Sequence, residues 1–473
     1  MAGRFELKGK RVLVIGLART GVATAMFCAE RGAVITATDT RSADELGDCV
    51  SRLRDEGIQL QLGGYSNAIL HEQELVVPSP GVPADSPLLV KAREIKITVW
   101  SEIELAFRFL HGQLIGITGS NGKTTTTSLV NHILRHAEFS SALAGNIGTP
   151  LIATVRQSNK STITVAELSS FQLELIETFR PNISVLLNLT PDHLDRHKTF
   201  SAYAAAKARI FEHQTEADAA IINLDDPASR EIAPSRPQVF WFSRKTNVEQ
   251  GAFVRNGKLI FRRNNREEEI LNCDEIPLPG RHNLENVLAA TIAGRLAGAQ
   301  SAQIAGAIRS FPGVEHRIEF VAEINGVRYY NDSKATNVDA TLKALEAFPG
   351  RIIVILGGKD KDSDYAQLRT TLREKTILAL LIGSAADKIE KQIESSVAIR
   401  RAETLHNAVQ FAAQAAHAGD IVLLAPACAS FDQFENYEHR GRVFKELVHQ
   451  LQGHAGNRDP SHTEKHNAET FGK

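Results

Sequence analysis

The 473-residue chain lacks any apolar run of the roughly 20 residues that a bilayer-spanning helix needs, so it offers no membrane-anchoring segment. It is poor in cysteine. Cys28, Cys49, Cys273 and Cys428 show neither CxxC nor metal-ligand spacing, which predicts free thiols in a reducing compartment. It lacks a charge excess: 54 Lys and Arg face 55 Asp and Glu, for a net charge of −1. That balance gives no electrostatic footprint for nucleic acid or a membrane surface. The opening residues, Met1 to Lys8, lack the apolar core of a secretory leader. A cytoplasmic, monomeric protein with no nucleic-acid or membrane partner is expected.

Two glycines are also missing, and their absence is more telling. Gly116-Ile-Thr-Gly-Ser-Asn-Gly-Lys-Thr-Thr-Thr-Thr127 follows the apolar run Leu114 to Ile117, and Ser128 to Leu134 carries helical spacing after it. A strand, a glycine loop and a helix start form a phosphate cradle. Small residues let backbone N–H groups close on an anion, and the helix start adds partial positive charge. Gly119, Ser120, Asn121, Gly122, Lys123, Thr124 and Thr125 are its candidate residues, with Lys123 for the terminal phosphates and Thr124 for Mg²⁺. The general P-loop requires glycine where this chain has Ile117. The plainer alternative is a tight turn with an incidental lysine. The second missing glycine lies in Gly16-Leu-Ala-Arg-Thr-Gly21, where Ala18 takes the middle position of a dinucleotide fingerprint. Asp39 ends the next strand and reads either as a ribose or base contact or as a simple turn acid.

Around these turns, 43% hydrophobic and 23% charged residues suit an ordinary globular chain of about three domains. Strands and helices alternate, which predicts parallel sheets with helices on both faces. Leu75 to Pro83 reads as a strand running into a proline-stiffened rim, and Lys96 to Phe109 closes the first domain with a helical stripe. Further strands are expected at Ser161 to Leu168, Ile183 to Leu189, Arg351 to Gly358, Ile377 to Ile382 and Asp420 to Ala425. Phe200 to Glu212 has helical spacing. Val239 to Phe242 and the runs flanking Asn256-Gly257 read as antiparallel strands, and Asn325-Gly326 marks a second hairpin. The expected domains are 1–111, 112–313 and 314–452, with a disordered tail at 453–473. Glu167 and His193 fall near strand carboxyl ends, as the loop at Gly119 does. There they are candidates to hold a hard cation. Lys207, taken alone, is an exposed helix lysine.

Thr118 to Thr124 resemble the Thr-Gly-x-Asn-Gly-Lys-Thr loop of the ATP-dependent Mur ligases and folylpolyglutamate synthases. Ala166-Glu-Leu-Ser-Ser-Phe-Gln-Leu-Glu174 and Asn188-Leu-Thr-Pro-Asp-His-Leu-Asp-Arg196 resemble stretches found across the Mur ligases. Asn331-Asp-Ser-Lys-Ala-Thr-Asn337 and Pro426-Ala-Cys-Ala-Ser-Phe-Asp-Gln-Phe434 are similar to the D-glutamate-adding branch. The resemblance implies an α/β fold of three domains. These are a Rossmann-like N-terminal domain that binds UDP, a central parallel-sheet P-loop ATPase domain, and a C-terminal Rossmann-like α/β domain. It implies ATP and Mg²⁺ as cofactors, with UDP-N-acetylmuramoyl-L-alanine and D-glutamate as substrates. It assigns catalysis to Lys123, Glu167, His193 and Lys207, with metal at Thr124, Glu167, His193 and a carbamylated Lys207. It assigns ATP contacts to Asn283, Arg317 and Asp332. The UDP substrate falls to Arg19, Thr20, Asp39, Thr40, Arg41, Asn146 and Gln172. D-Glutamate falls to Lys334, Thr336, Lys361 (with Lys359 as the alternative), Ser430 and Tyr437.

Overall fold

The computed structural model describes residues 5–360 and 362–455. Inter-residue contacts divide the chain into two compact units. One holds the chain up to Pro277 together with His282–Phe311, and the other holds Leu278–Arg281 and the chain from Pro312 onward. Three mixed or parallel sheets carry the fold.

The first sheet contains β1 (Arg11–Ile15), β2 (Val34–Asp39), β3 (Gln59–Leu62), β4 (Leu75–Pro78) and β5 (Thr98–Val99) in the order β3-β2-β1-β4-β5, all parallel. β1 is Arg-Val-Leu-Val-Ile, and everything after its first residue is buried. A parallel strand covered on both faces needs such an unbroken apolar run. The chain leaves β1 toward β2 on one side and later returns to β4 on the other. The carboxyl ends of β1 and β4 therefore flank a crevice. The region 96–109 contributes only a short helix, Glu102–Phe107, after β5.

The second sheet, in the same unit, contains β6 (Gln113–Thr118), β7 (Ser141–Gly145), β8 (Ile163–Glu167), β9 (Ile183–Leu186), β10 (Ala219–Asn223), β11 (Gln238–Ser243), β12 (Gly251–Arg255), β13 (Lys258–Arg263) and β14 (Arg266–Asn272). Their order is β14-β13-β12-β11-β10-β9-β6-β8-β7. β6 sits between β8 and β9, so the chain departs to one side of it and resumes on the other. The loop after β6 opens at this switch point, where a doubly wound sheet offers its ligand crevice. β12 and β13 pair antiparallel through Asn256-Gly257, both with positive φ, as a two-residue hairpin requires. β11 departs from the antiparallel expectation. It runs parallel to both β10 and β12, because the helix Pro227–Glu231 carries the chain back before it starts.

The second unit is built on β15 (Glu319–Ile324), β16 (Val327–Asn331), β17 (Ile352–Gly357), β18 (Thr376–Ile382), β19 (Ile399–Glu403) and β20 (Ile421–Leu424). The order is β15-β16-β20-β17-β18-β19, parallel except for the β15–β16 hairpin at Asn325-Gly326. β17 is buried along its whole length. The carboxyl ends of β16, β20 and β17 lie side by side and launch the segments beginning at Asp332, Ala425 and Gly358. The closing helix runs Tyr437–Ala455, so the chain stays helical beyond the expected tail start at Gly453. The remainder of that expected tail, 456–473, lies outside the described residues. Among the described residues, no helix is long and apolar enough to cross a membrane.

Candidate active site

The loop after β6 leads into the helix Lys123–His136, whose N-cap is Gly122 at φ +83. A Cβ at Gly122 would overlap the Asn286 Oδ1, and one at Gly119, at φ +148, would lie 3.0 Å from the Leu187 Cβ. Both glycines are therefore required by conformation and by space. The loop is held from below. Asn188 pairs with Asn121 as a strand would: its Oδ1 accepts from the Asn121 N–H at 2.9 Å, and its Nδ2 donates to the Asn121 carbonyl at 3.1 Å. Ser120 Oγ lies 3.0 Å from the Tyr203 hydroxyl and accepts from the Thr190 N–H at 2.9 Å. Asn286 Oδ1 accepts from the Thr126 hydroxyl, and its Nδ2 donates to Asn283 Oδ1, which brings the helix Arg281–Ala297 against the helix start. Lys123 folds back over the turn, with Nζ donating to the Gly119 carbonyl at 2.8 Å and the Ser120 carbonyl at 2.9 Å. The result is a rigid backbone concavity with an ammonium above it and a helix start behind it.

Glu167 ends β8, in register with Ile117 of β6. Its Oε2 accepts from the Thr124 hydroxyl at 2.8 Å, and its Oε1 accepts from Asn146 Nδ2 at 2.9 Å. The turn carrying Asn146 hugs this strand end: Gly145 has φ +99 and no room for a Cβ against the Glu167 carbonyl. Lys207 is not the exposed lysine that helical spacing alone suggested. It is buried on the helix Phe200–Ala208, 3.3 Å from the Thr118 hydroxyl. Burial holds its amine well below the usual lysine range, and the Lys123 charge lowers it further against the opposing pull of Asp192 and Glu167.

His193 follows Asp192 at the N-cap of the helix Leu194–His197. Its ring packs edge-on against Phe171 at 4.9 Å and lies 3.6 Å from Asp192, and its backbone has φ +51. Among the described residues, no three His, Cys, Asp or Glu side chains converge as a metal site. The donors at the loop are instead the Thr124 hydroxyl and the Glu167 carboxylate, hard oxygen ligands of the kind Mg²⁺ takes alongside water and phosphate.

At the β1–β4 crevice, Asp39 ties down the first turn. It accepts from the Leu17 N–H at 2.7 Å and forms a paired contact with Arg41, at 3.0 Å to Nε and 2.8 Å to Nη2. These bonds hold its carboxyl far below the usual range. Ser79 Oγ donates to the Gly16 carbonyl at 2.7 Å, and Arg19 and Thr40 sit exposed at the rim with Thr20 half-buried behind them. Gln172 is engaged in a capping box with Ser169 at the start of the helix Ser170–Leu173. Sequence reasoning missed Arg196, whose guanidinium reaches the carbonyls of Pro80 and Val82 and the Glu174 carboxylate. It also missed the supporting Asn188, Tyr203 and Asn286. Asn283 and Asn286, three apart on one helix face, were a legible signal.

In the second unit, Asp332 follows β16 fully buried. Burial pushes its carboxyl up to about 7, opposed by the Arg317 charge and the Ile318 N–H. Lys334 Nζ donates to the Tyr437 hydroxyl at 2.7 Å and lies over its ring. Ser430 is buried after β20, and Thr336 donates its N–H to the Lys334 carbonyl. Lys361 lies outside the described residues, and Lys359 is exposed with its backbone paired to Ala429.

Comparison with known proteins aligns with this geometry. Residues 10–101 match the Mur ligase MurD-like N-terminal domain, 117–294 the Mur ligase middle domain, and 316–428 the Mur ligase glutamate ligase domain. A UDP-N-acetylmuramoylalanine–D-glutamate ligase of Acidobacterium capsulatum is 54% identical over 446 residues, covering 94% of this chain and 97% of that protein. Its counterpart in Koribacter versatilis is 52% identical over 94% of this chain and 98% of its own length. Among solved structures, the UDP-N-acetylmuramate–alanine ligase MurC of Thermotoga maritima shares the fold at a TM-score of 0.58 and 18% identity, covering 94% of this chain and 99% of that one. A MurF ligase of Thermotoga maritima, in complex with ADP, also matches at 0.58 with 17% identity, over 94% of this chain and 96% of its own. With three family models in sequence order and relatives above half identity along nearly their whole length, the chain belongs to the Mur ligase family.

Proposed function

We propose that this chain joins D-glutamate to UDP-N-acetylmuramoyl-L-alanine in an ATP-dependent reaction of peptidoglycan precursor synthesis. In this reading ATP phosphorylates the free carboxylate of the alanyl group, which turns one oxygen into a leaving group. The D-glutamate amine attacks the acyl carbon, and the tetrahedral adduct collapses to an amide and phosphate, with ADP left from the first step. Phosphoryl transfer needs chiefly positioning and neutralisation of charge. The observation that carries the reading is the hydrogen-bonded run Thr124–Glu167–Asn146, which joins the nucleotide loop to a residue assigned to the muramoyl group. In this scheme one carboxylate serves the phosphate donor and its acceptor together.

Within that scheme the loop 119–125 and Lys123 hold the triphosphate, and Asn283, Arg317 and Asp332 its nucleoside. Mg²⁺, when bound, supplies charge neutralisation at the phosphates; Thr124, Glu167, His193 and a carbamylated Lys207 would hold it. Burial favours the neutral amine that adds to CO₂, and the carbamate formed is an anion; the downward direction at Lys207 supports that role. Arg19, Thr20, Asp39, Thr40, Arg41 and Gln172 serve the UDP substrate. Lys334, Thr336, Lys361, Ser430 and Tyr437 serve D-glutamate. We assign 1–111 to the UDP substrate, 112–313 to ATP and 314–452 to D-glutamate, in a cytoplasmic monomer.

The test is phosphate release from ATP with UDP-N-acetylmuramoyl-L-alanine and a panel of amino acids. Release dependent on D-glutamate is expected. Release with L-glutamate and a folate, or none with any amino acid, would overturn the reading.

A further inference from the structure

Arg440, in the first turn of the helix Tyr437–Ala455, is the largest fully buried side chain among the described residues. Its guanidinium makes five hydrogen bonds, none to a carboxylate. Nε donates to the Ser333 hydroxyl at 3.0 Å, and Nη2 to the carbonyls of Ser333 at 2.9 Å and Cys428 at 3.2 Å. Nη1 donates to the carbonyls of Cys428 at 3.2 Å and Ala429 at 3.4 Å. Burial pulls its guanidinium down to about 10, opposed by Cys428 and Asp432, neither of which bonds it through a side chain. This is a costly place for a cation. It is desolvated, it lacks a bonded counter-charge, and it stands at the positive end of a helix dipole.

The bonds explain what the cost maintains. The segments leaving β16, β20 and β17 converge on this one group. Ser333 belongs to the first and Cys428 and Ala429 to the second. The third is laid over them: Lys359 N–H donates to the Ala429 carbonyl at 2.8 Å, and the Ala429 N–H donates back to the Lys359 carbonyl at 3.1 Å. Gly358, at φ +136, has no space for a Cβ between the Ala429 carbonyl and Arg440 Nη1. Ser333 Oγ in turn donates to the Tyr437 carbonyl at 2.8 Å. Lys334, Ser430 and Tyr437 are therefore each within one residue of, or directly bonded to, a group that Arg440 or its partner Ser333 holds.

We propose that Arg440 is the positioning and specificity-determining residue of the amino-acid subsite: it fixes three recognition loops in register, and its unneutralised charge favours an acidic amino acid over a neutral one. The inference rests on the proposed D-glutamate reading. Charge in a dry interior acts over longer distances than in water, so a cation need not touch the substrate to select its charge.

The test uses the full-length protein and steady-state phosphate release. Wild type comes first: without D-glutamate-dependent release the functional reading falls, and this inference with it. Given that release, Arg440→Lys should raise the KM for D-glutamate by about tenfold, the scale of one lost charge-assisted contact. The KM for the UDP substrate should stay within about twofold. Arg440→Ala should raise the D-glutamate KM further and narrow the preference for D-glutamate over D-glutamine, and millimolar guanidinium should partly restore both. A uniform loss of kcat with unchanged D-glutamate KM would mark Arg440 as merely structural and overturn the proposal. If neither variant folds, as judged by its melting curve, Ser333→Ala decides. A rise in D-glutamate KM with that for the UDP substrate unmoved supports the proposal, and an unchanged D-glutamate value overturns it.

Discussion

Two turns of this protein have the same plan, a parallel strand, a glycine and a helix start, yet they end in opposite chemistry. After β1, the turn is closed by its own chain. Asp39 takes the Leu17 N–H, Ser79 takes up the Gly16 carbonyl, and Gly21 lies so close to that carbonyl that a Cβ would overlap it. A carboxylate held low by Arg41 thus occupies the first free N–H of the turn. After β6, the corresponding position carries the ammonium of Lys123 over a backbone concavity, and the Glu167 carboxylate is bonded to the Thr124 hydroxyl. The two turns therefore differ in the sign of the charge set beside the strand end, a difference the glycine count does not show.

The contrast can be broken most sharply at the second turn's buried amine. Lys207→Ala should lower kcat on the order of a hundredfold to a thousandfold, as for removal of one preorganised charge in an active site. A short carboxylate such as acetate should restore part of it; full activity in the variant would remove Lys207 from the site. Next come the paired glycines. Gly122→Ala places a Cβ on the Asn286 Oδ1 at positive φ and should weaken ATP use by about tenfold or more, with about 1–3 kcal/mol of destabilisation. Gly21→Ala should lower the melting temperature and raise the KM for the UDP substrate while sparing that for ATP. Identical kinetic signatures for the two variants would erase the distinction between the turns.

Smaller effects are written in pH. Glu102 lies wholly buried on the helix that follows β5, with Oε1 accepting from the Ile152 N–H at 2.7 Å. Burial raises its carboxyl to about 7, against the lowering effect of the Ile152 and Leu151 N–H groups. An unfolded glutamate titrates near 4.3. Between those values the native state binds more protons, so stability falls as pH rises through the window and levels off above it. Glu102→Gln keeps the acceptor without the charge. Its melting temperature should gain on wild type from pH 5 to pH 8, and parallel curves would refute the assignment. Asp39 has the opposite sign. Its lowered native value contributes stability above the unfolded value near 4, lost as pH falls through the native one. Asp39→Asn should differ from wild type at neutral pH and converge with it in acid. The effect is the smallest of the set, because Arg41 is half exposed and screened.

Much of this was legible in the sequence because it is local. Strand runs such as Arg11 to Ile15 and Ile352 to Gly357, the two Asn-Gly hairpins and the loop at Gly119 announce themselves through apolar continuity and turn chemistry. The α/β class and the parallel sheets followed from the alternation of elements. What escaped depends on partners distant in the chain. Lys207 reads as a surface lysine until Thr118, 89 residues earlier, closes over it. Arg440 sits in an otherwise polar, helical run, and nothing local marks it as the side chain that Ser333 and Cys428 surround. The direction of β11 was misjudged because a strand's apolar residues do not reveal which way its neighbour runs. The contact of His193 with Phe171, 22 residues earlier, is likewise invisible in the local sequence.

The central proposal is that the chain activates UDP-N-acetylmuramoyl-L-alanine with ATP before D-glutamate attacks as the acceptor amine. Positional isotope exchange in ATP tests it most directly. With UDP-N-acetylmuramoyl-L-alanine present and D-glutamate absent, the β,γ-bridging oxygen of labelled ATP should scramble through reversible acyl-phosphate formation. Addition of D-glutamate should then drive net phosphate release. Scrambling without the UDP substrate, or release that ignores D-glutamate, would contradict the account.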